Sequence, residues 1–102
     1  MEFEWDAHKA ARNLRKHKVS FAEASTVFGD FLGTTVADPS HSVDEDRYIT
    51  VGLSSWGRVL LVAHTEPNDR IRIISARTLT AREKRAYENA KEQDERRIAP
   101  RI

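Results

Sequence analysis

Residues 48–77 leave the chain little choice of architecture. From Tyr48 to Ser54, Ile49, Val51 and Leu53 fall at every second position, the period of a strand with one apolar face. Residues 58–66 contain Val59-Leu60-Leu61-Val62-Ala63, apolar on both faces, and such a strand belongs in the middle of a sheet. Residues 70–77 carry Ile71, Ile73 and Ile74, β-branched side chains that suit a pleated surface. Ser55-Trp56-Gly57 and Pro67-Asn68-Asp69 are the short turn segments between them, so these strands must run antiparallel. A further, weaker strand is expected over 33–37, followed by turn chemistry at Asp38-Pro39-Ser40-His41 and an acidic loop to Asp46.

Helices flank this block. Phe3 and Trp5 alternate with acids in a short first strand, and Asp6 can cap a helix over 7–17 whose Ala7, Ala10, Ala11 and Leu14 make one apolar stripe. Ser20 and Glu23 have capping-box spacing and open a second helix over 20–29, burying Phe21, Ala24, Val27 and Phe28. Thr80 and Glu83 repeat the box before a third helix to about residue 92, with only Ala86, Tyr87 and Ala90, plus Leu79 ahead of it, to bury. The expected fold is α+β, in the order β-α-α-β-β-β-β-α, as one domain over 1–92 with a charged, frayed tail over 93–102.

With 102 residues, 39% hydrophobic and 32% charged, the chain has room for one modest core under a heavily charged surface. It has no cysteine, which excludes disulfides, zinc–thiolate sites and a thiol nucleophile. The first residues lack the basic start and apolar stretch of a secretion signal, and no apolar run approaches membrane-spanning length, so a cytoplasmic protein is expected. The net charge is only +1, but it is segregated. Residues 7–18 carry Lys9, Arg12, Arg15, Lys16 and Lys18 and no acid, and a second basic segment covers 70–91. Such segregation can present a basic patch to a polyanion, although solvated helix faces look the same in sequence.

Several stretches carry a family likeness in order and spacing: Phe3-Glu4-Trp5-Asp6, Asn13-Leu14-Arg15-Lys16-His17, Val19-Ser20-Phe21, Gly52-Leu53, Gly57-Arg58, His64-Thr65-Glu66, Arg72-Ile73-Ile74-Ser75-Ala76-Arg77, and Arg82-Glu83 with Tyr87. Over residues 3–88 the chain resembles the BrnT family of toxins. The resemblance implies a RelE-like fold, an antiparallel sheet partly wrapped by helices, and a metal-independent endoribonuclease that needs no cofactor. It also implies a BrnA-like ribbon-helix-helix antitoxin as partner, in a heterotetramer that binds operator DNA through the antitoxin. The chain departs from the family at Lys18, where a glycine usually follows the Lys-His pair. Glycine suits a left-handed turn after a helix at no steric cost. A lysine there costs on the order of 1 kcal/mol or else remodels the turn.

Metal-free RNA cleavage needs an aligned 2′-hydroxyl, a base, an acid and cations on the phosphorane. Arg77, at the end of the last strand, is the first candidate for the cation, because a guanidinium matches phosphate oxygens; a salt bridge to Glu83 is the alternative. His64 and Glu66 share a strand face if the strand is regular, and either could serve as acid or base. A histidine packed on the sheet with Glu66 at a hairpin mouth fits equally well. Tyr87, one turn after Glu83, could donate to phosphate or simply pack its helix. Arg58, Arg72, Arg82 and Lys16 are candidate RNA contacts, as are Arg12, Arg15, His17 and Lys18 around Lys16. Trp56 and Tyr48 could stack on bases. Asp38, His41, Asp44, Glu45 and Asp46 have metal-ligating chemistry, but acidic turns have this composition without any ion. A catalytically silent nucleic-acid-binding module, or a pure interaction subunit, would share the fold.

Overall fold

The computed structural model describes residues 1–38, 40 and 46–98, with side chains described through residue 92. The elements run β1 (Glu2–Glu4), α1 (Ala7–His17), α2 (Phe21–Thr26) continued by a 3-10 turn at Val27–Gly29, β2 (Thr34–Ala37), β3 (Arg47–Leu53), β4 (Val59–Thr65), β5 (Arg70–Thr78) and α3 (Ala81–Ile98). This is the α+β order expected from the sequence. The five strands form one sheet in the order β1-β5-β4-β3-β2, which puts the doubly apolar β4 at its centre.

The sheet is mixed, not wholly antiparallel as expected. β2 to β5 pair antiparallel, and β1 pairs parallel with β5 through Phe3 and Ile71. Short turns impose antiparallel pairing only on the strands they join; β1 reaches the free edge of β5 across most of the chain. One face of the sheet is covered by α2 and the turns around it. Val19, Phe21, Ala24 and Val27 pack there on Leu60, Val62, Ile71, Ile73 and Ala76, with Phe3, Ala10 and Phe28 at the margin. Gly52 lies under this cover, and a Cβ there would meet Val27 Cγ1 at 3.0 Å, so only glycine lets the turn approach the sheet so closely.

Two helix expectations need correction. In α1 the stripe Ala7, Ala11 and Leu14 is exposed, and the residue that is buried is Asn13. The reason lies in β5. β1 pairs with β5 only as far as Arg72, so farther along that strand edge backbone groups need other partners. Asn13 supplies them: Ala76 N–H donates to its Oδ1 (3.1 Å), and its Nδ2 donates to the carbonyls of Ala76 (2.8 Å) and Val19 (2.9 Å). In α3, Ala86 and Ala90 are exposed, because so thin an apolar stripe offers too little area to hold a helix on the sheet. α3 also runs to Ile98, past residue 92, since its residues are good helix formers with no proline before Pro100.

Both capping hydroxyls act as expected. Ser20 Oγ accepts from Glu23 N–H at 3.0 Å and Thr80 Oγ1 from Glu83 N–H at 3.2 Å. Only the second box is reciprocal, with Thr80 N–H donating to Glu83 Oε1 at 2.9 Å. The Glu23 carboxylate is instead drawn inward to Arg58 and Ser54. After α1, Lys18 keeps the left-handed turn with φ 59° and ψ 31°, so the strain is tolerated, not relieved by remodelling. Arg58 donates to the Lys18 carbonyl at 3.0 Å and helps hold it there. Lys18→Gly is therefore expected to raise stability by about 1 kcal/mol, a gain of roughly 5 °C in Tm. A thermal scan in which the variant melts at or below the parent temperature would contradict this account of the turn.

Candidate nucleic-acid interface

The basic residues of α1 acquire a shape in the folded chain. A cleft of about 270 Å³ runs between α1 and the second half of β5, lined by Lys9, Arg12, Asn13, Lys16, His17, Ile74 and Ser75. Lys9, Arg12, Asn13 and Lys16 recur at three- and four-residue spacing, which puts them on one side of the helix. β5 bulges at this wall: Ala63 pairs with Ser75 but His64 pairs with Ile73, which leaves Ile74 as the extra residue. Asn13 forms the floor and fixes the spacing between helix and strand. Carboxylates pair with other cations away from the cleft, as in Arg58–Glu23, Arg70–Glu2, Arg72–Glu4 and Arg77–Glu83. The cleft thus combines three cations and an imidazole with no carboxylate, a field suited to a polyanion.

Arg77 is already engaged. Its Nη1 and Nη2 donate to the two Glu83 oxygens at 2.7 and 3.0 Å, and Nη1 also donates to the Thr78 carbonyl. The guanidinium, with the Thr80 N–H behind it, holds the Glu83 carboxyl down to about 2. Glutamate in turn raises the Arg77 pKa. Ala76 is buried in the core, so Arg77 points to the opposite face of the sheet, about one-third exposed. The fork is a clamp across the β5–α3 turn.

His64 lies elsewhere, with no exposed surface. Its Nε2 is 2.7 Å from the Thr50 hydroxyl, which in turn is 2.7 Å from that of Thr35. Tyr48 stacks on the ring at 5.8 Å and Phe28 meets it edge-on at 4.8 Å. Burial lowers the His64 pKa to about 4. A proton-transfer group must come within hydrogen-bond reach of its substrate. The structure therefore makes His64 a core residue, and Tyr48 is spent on covering it. Glu66 is half-exposed, 3.7 Å from His64 Nδ1, in a recess with Asp46, Tyr48, Thr65 and Pro67. Two carboxylates there would repel phosphate. Arg77 pairs with Leu61, and Glu66 lies five residues farther on, just past the end of β4 and roughly 16 Å away. The structure brings Glu66 beside His64 and leaves Arg77 apart from both.

The other candidates divide by their partners. Arg58 donates through Nε to Glu23 Oε2 at 2.9 Å and through Nη2 to Oε1, so its charge is committed; Arg58 shares a second cleft of about 390 Å³ with Lys84. Arg72 Nε donates to Glu4 at 2.8 Å. Arg82 is exposed on the first turn of α3, and Trp56 is exposed at the β3–β4 turn. Tyr87 is half-buried, its hydroxyl enclosed without a hydrogen-bond partner in the described structure, with Lys91 Nζ 5.4 Å from the ring centre. Lys16 lines the α1 cleft, together with Arg12 and His17 from the same basic stretch. No group of three or more His, Asp or Glu residues able to hold a metal stands together among the described residues. His41, Asp44 and Glu45 lie outside them. No helix among the described residues is long and apolar enough to cross a membrane.

The face of α1 was legible as basic, but nothing in the sequence placed β5 opposite it. One signal was available: an asparagine within a helix, at a position flanked by apolar stripe residues, marks a helix that faces polar backbone. Comparison with known proteins agrees with the fold. A family model described as "Ribonuclease toxin, BrnT, of type II toxin-antitoxin system" matches residues 5–83. No curated protein matches the sequence. Among solved structures, the 1.1 Å crystal structure of the Brucella abortus ribonuclease toxin BrnT is similar, with a TM-score of 0.61 and 25% identity, over 78% of this chain and 97% of that one.

Proposed function

The chain belongs to the BrnT family of ribonuclease toxins of type II toxin–antitoxin systems, and from that premise we propose that it cleaves RNA without a metal ion, in the cytoplasm, and so inhibits translation. A BrnA-like ribbon-helix-helix antitoxin neutralises it in a heterotetramer and carries the pair to operator DNA. The observation that supports RNA as the ligand is the acid-free cleft of α1, where Lys9, Arg12 and Lys16 line a groove beside a strand edge. Cations so placed neutralise backbone phosphates and make binding salt-dependent. The Arg77–Glu83 fork fixes the turn into α3, whose first turn carries the exposed Arg82.

Expression of the chain alone is expected to arrest growth, and the purified protein is expected to cleave RNA equally with and without EDTA. Cleavage abolished by EDTA and restored by a divalent ion would overturn the metal-free reading. Arg77→Ala decides the role of the fork. If Arg77 contacts the phosphorane, cleavage falls by about 100-fold or more. If it is only a clamp, cleavage stays within a few-fold while the chain loses about 1 kcal/mol of stability, the scale of an exposed, well-aligned pair.

A further inference from the structure

We infer that the cleft between α1 and β5 seats the reacting phosphate, with His17 as the proton-transfer residue, an assignment that rests on the ribonuclease reading above. Burial removes His64 from substrate, the Tyr87 hydroxyl is enclosed, and Glu66 shares an acidic recess with Asp46 that is unfavourable to phosphate. His17 does what they cannot: it lines an open cleft together with Lys9, Arg12 and Lys16.

The turn that follows His17 is held from two sides. Arg58 donates to the carbonyl of Lys18 at 3.0 Å, and Asn13 donates to that of Val19 at 2.9 Å. Arg58 is itself locked on a carboxylate with no exposed surface, and Asn13 is locked on Ala76 of β5. Side chains fixed by such buried supports hold a reacting group without reorganisation. The backbone that follows His17 is thereby anchored to the body of the fold, and the His17 side chain lines the cleft with Ile74 and Ser75 opposite.

The step proceeds with the 2′-oxygen attacking phosphorus. The imidazole of His17 takes the 2′-hydroxyl proton as the O2′–P bond forms. The P–O5′ bond breaks, and O5′ takes a proton from the Lys16 ammonium. Lys9 and Arg12 carry the extra negative charge on the non-bridging oxygens. The products are a 2′,3′-cyclic phosphate and a 5′-hydroxyl. One proton has moved from O2′ to O5′ by way of the two side chains, and solvent restores them.

Two probes separate binding from chemistry: a short 2′-O-methyl RNA, which cannot be cleaved, and the matching RNA in single turnover. Lys9→Ala and Arg12→Ala are each expected to weaken 2′-O-methyl RNA binding several-fold and to lower the salt slope by about 0.7. His17→Ala and His17→Gln are expected to bind within twofold of the parent and to cut at least about 100-fold more slowly. They should also lose one ionisation limb of the pH–rate profile, which a purely structural residue would leave in place. His17 variants that cleave within threefold of the parent overturn its role. Binding unchanged by both alanine variants overturns the cleft. If the parent cleaves nothing, the ribonuclease reading and the role of His17 both fall; weakened 2′-O-methyl RNA binding in the alanine variants then still supports the cleft as a phosphate seat.

Discussion

Arg58→Ala is expected to destabilise the protein by about 3 kcal/mol, the scale on which a buried charge stripped of its partner costs a fold. Glu23 has no exposed surface, and its carboxylate takes two donors from Arg58 and one from Ser54 Oγ at 2.8 Å. Those bonds, led by Arg58, hold the Glu23 carboxyl below its ordinary range. Its contribution is therefore fully present above the unfolded glutamate pKa and is lost as pH falls through the lower folded value. In the alanine variant the isolated carboxylate prefers its proton, so the deficit relative to the parent should be largest at neutral pH and should narrow as pH falls and Glu23 takes up that proton. Arg58→Lys keeps the charge but loses the fork and the bond to Lys18, and falls between the two. Urea unfolding at pH 7 and pH 4 measures all three. An alanine variant within about 0.5 kcal/mol of the parent at pH 7 would show that Arg58 contributes no more than a surface residue.

Acidification is expected to unfold the chain through His64. Its pKa is 6.5 in the unfolded chain and about 4 when folded, so the unfolded state binds the proton first. Stability is complete above 6.5 and declines toward pH 4, with a slope approaching 1.4 kcal/mol per pH unit and a total of about 3 kcal/mol. Glu83 adds its own loss only below about 4.5, as pH falls toward its folded value near 2. The interval between 6 and 4.5 thus isolates the histidine. His64→Gln can keep the hydrogen bond to Thr50 without titrating, and its stability should be nearly flat across that interval. A parent protein equally stable at pH 7 and pH 4.5 would mean that the ring is hydrated or charged in the fold. Glu66, 3.7 Å from Nδ1, is the group that could make it so.

Both predictions concern residues that sequence reading offered as RNA contacts or catalysts. His64 stands at every second position of β4 with Leu60 and Val62, and Arg58, just ahead of the strand, keeps the same parity. What parity could not say is that this is the covered face. Ile49, Val51 and Leu53, the cleaner apolar series in β3, lie on the other side, where Arg77 also points, because their partners Ala63, Leu61 and Val59 alternate with the buried β4 residues. A strand with apolar residues on both faces does not reveal which of them a helix will cover.

Local physics determined much of this protein from its sequence. Periods of two and of three to four, the hydroxyl caps at Ser20 and Thr80, and short turns set the element order, the hairpins and the central place of β4. These depend on neighbours within a few residues, so sequence spacing carries them. The series of family motifs carried the ribonuclease toxin assignment. The tertiary structure alone decided the parallel pairing of β1, the bulge at Ile74, the burial of Asn13, Glu23 and His64, and the opening of a basic cleft along α1. Each of these joins residues far apart in the chain: Asn13 to Ala76, Glu23 to Arg58, Phe3 to Ile71. A polar side chain shows the same letter whether it meets water, backbone or a buried charge. Only the folded chain supplies the partner that settles its role.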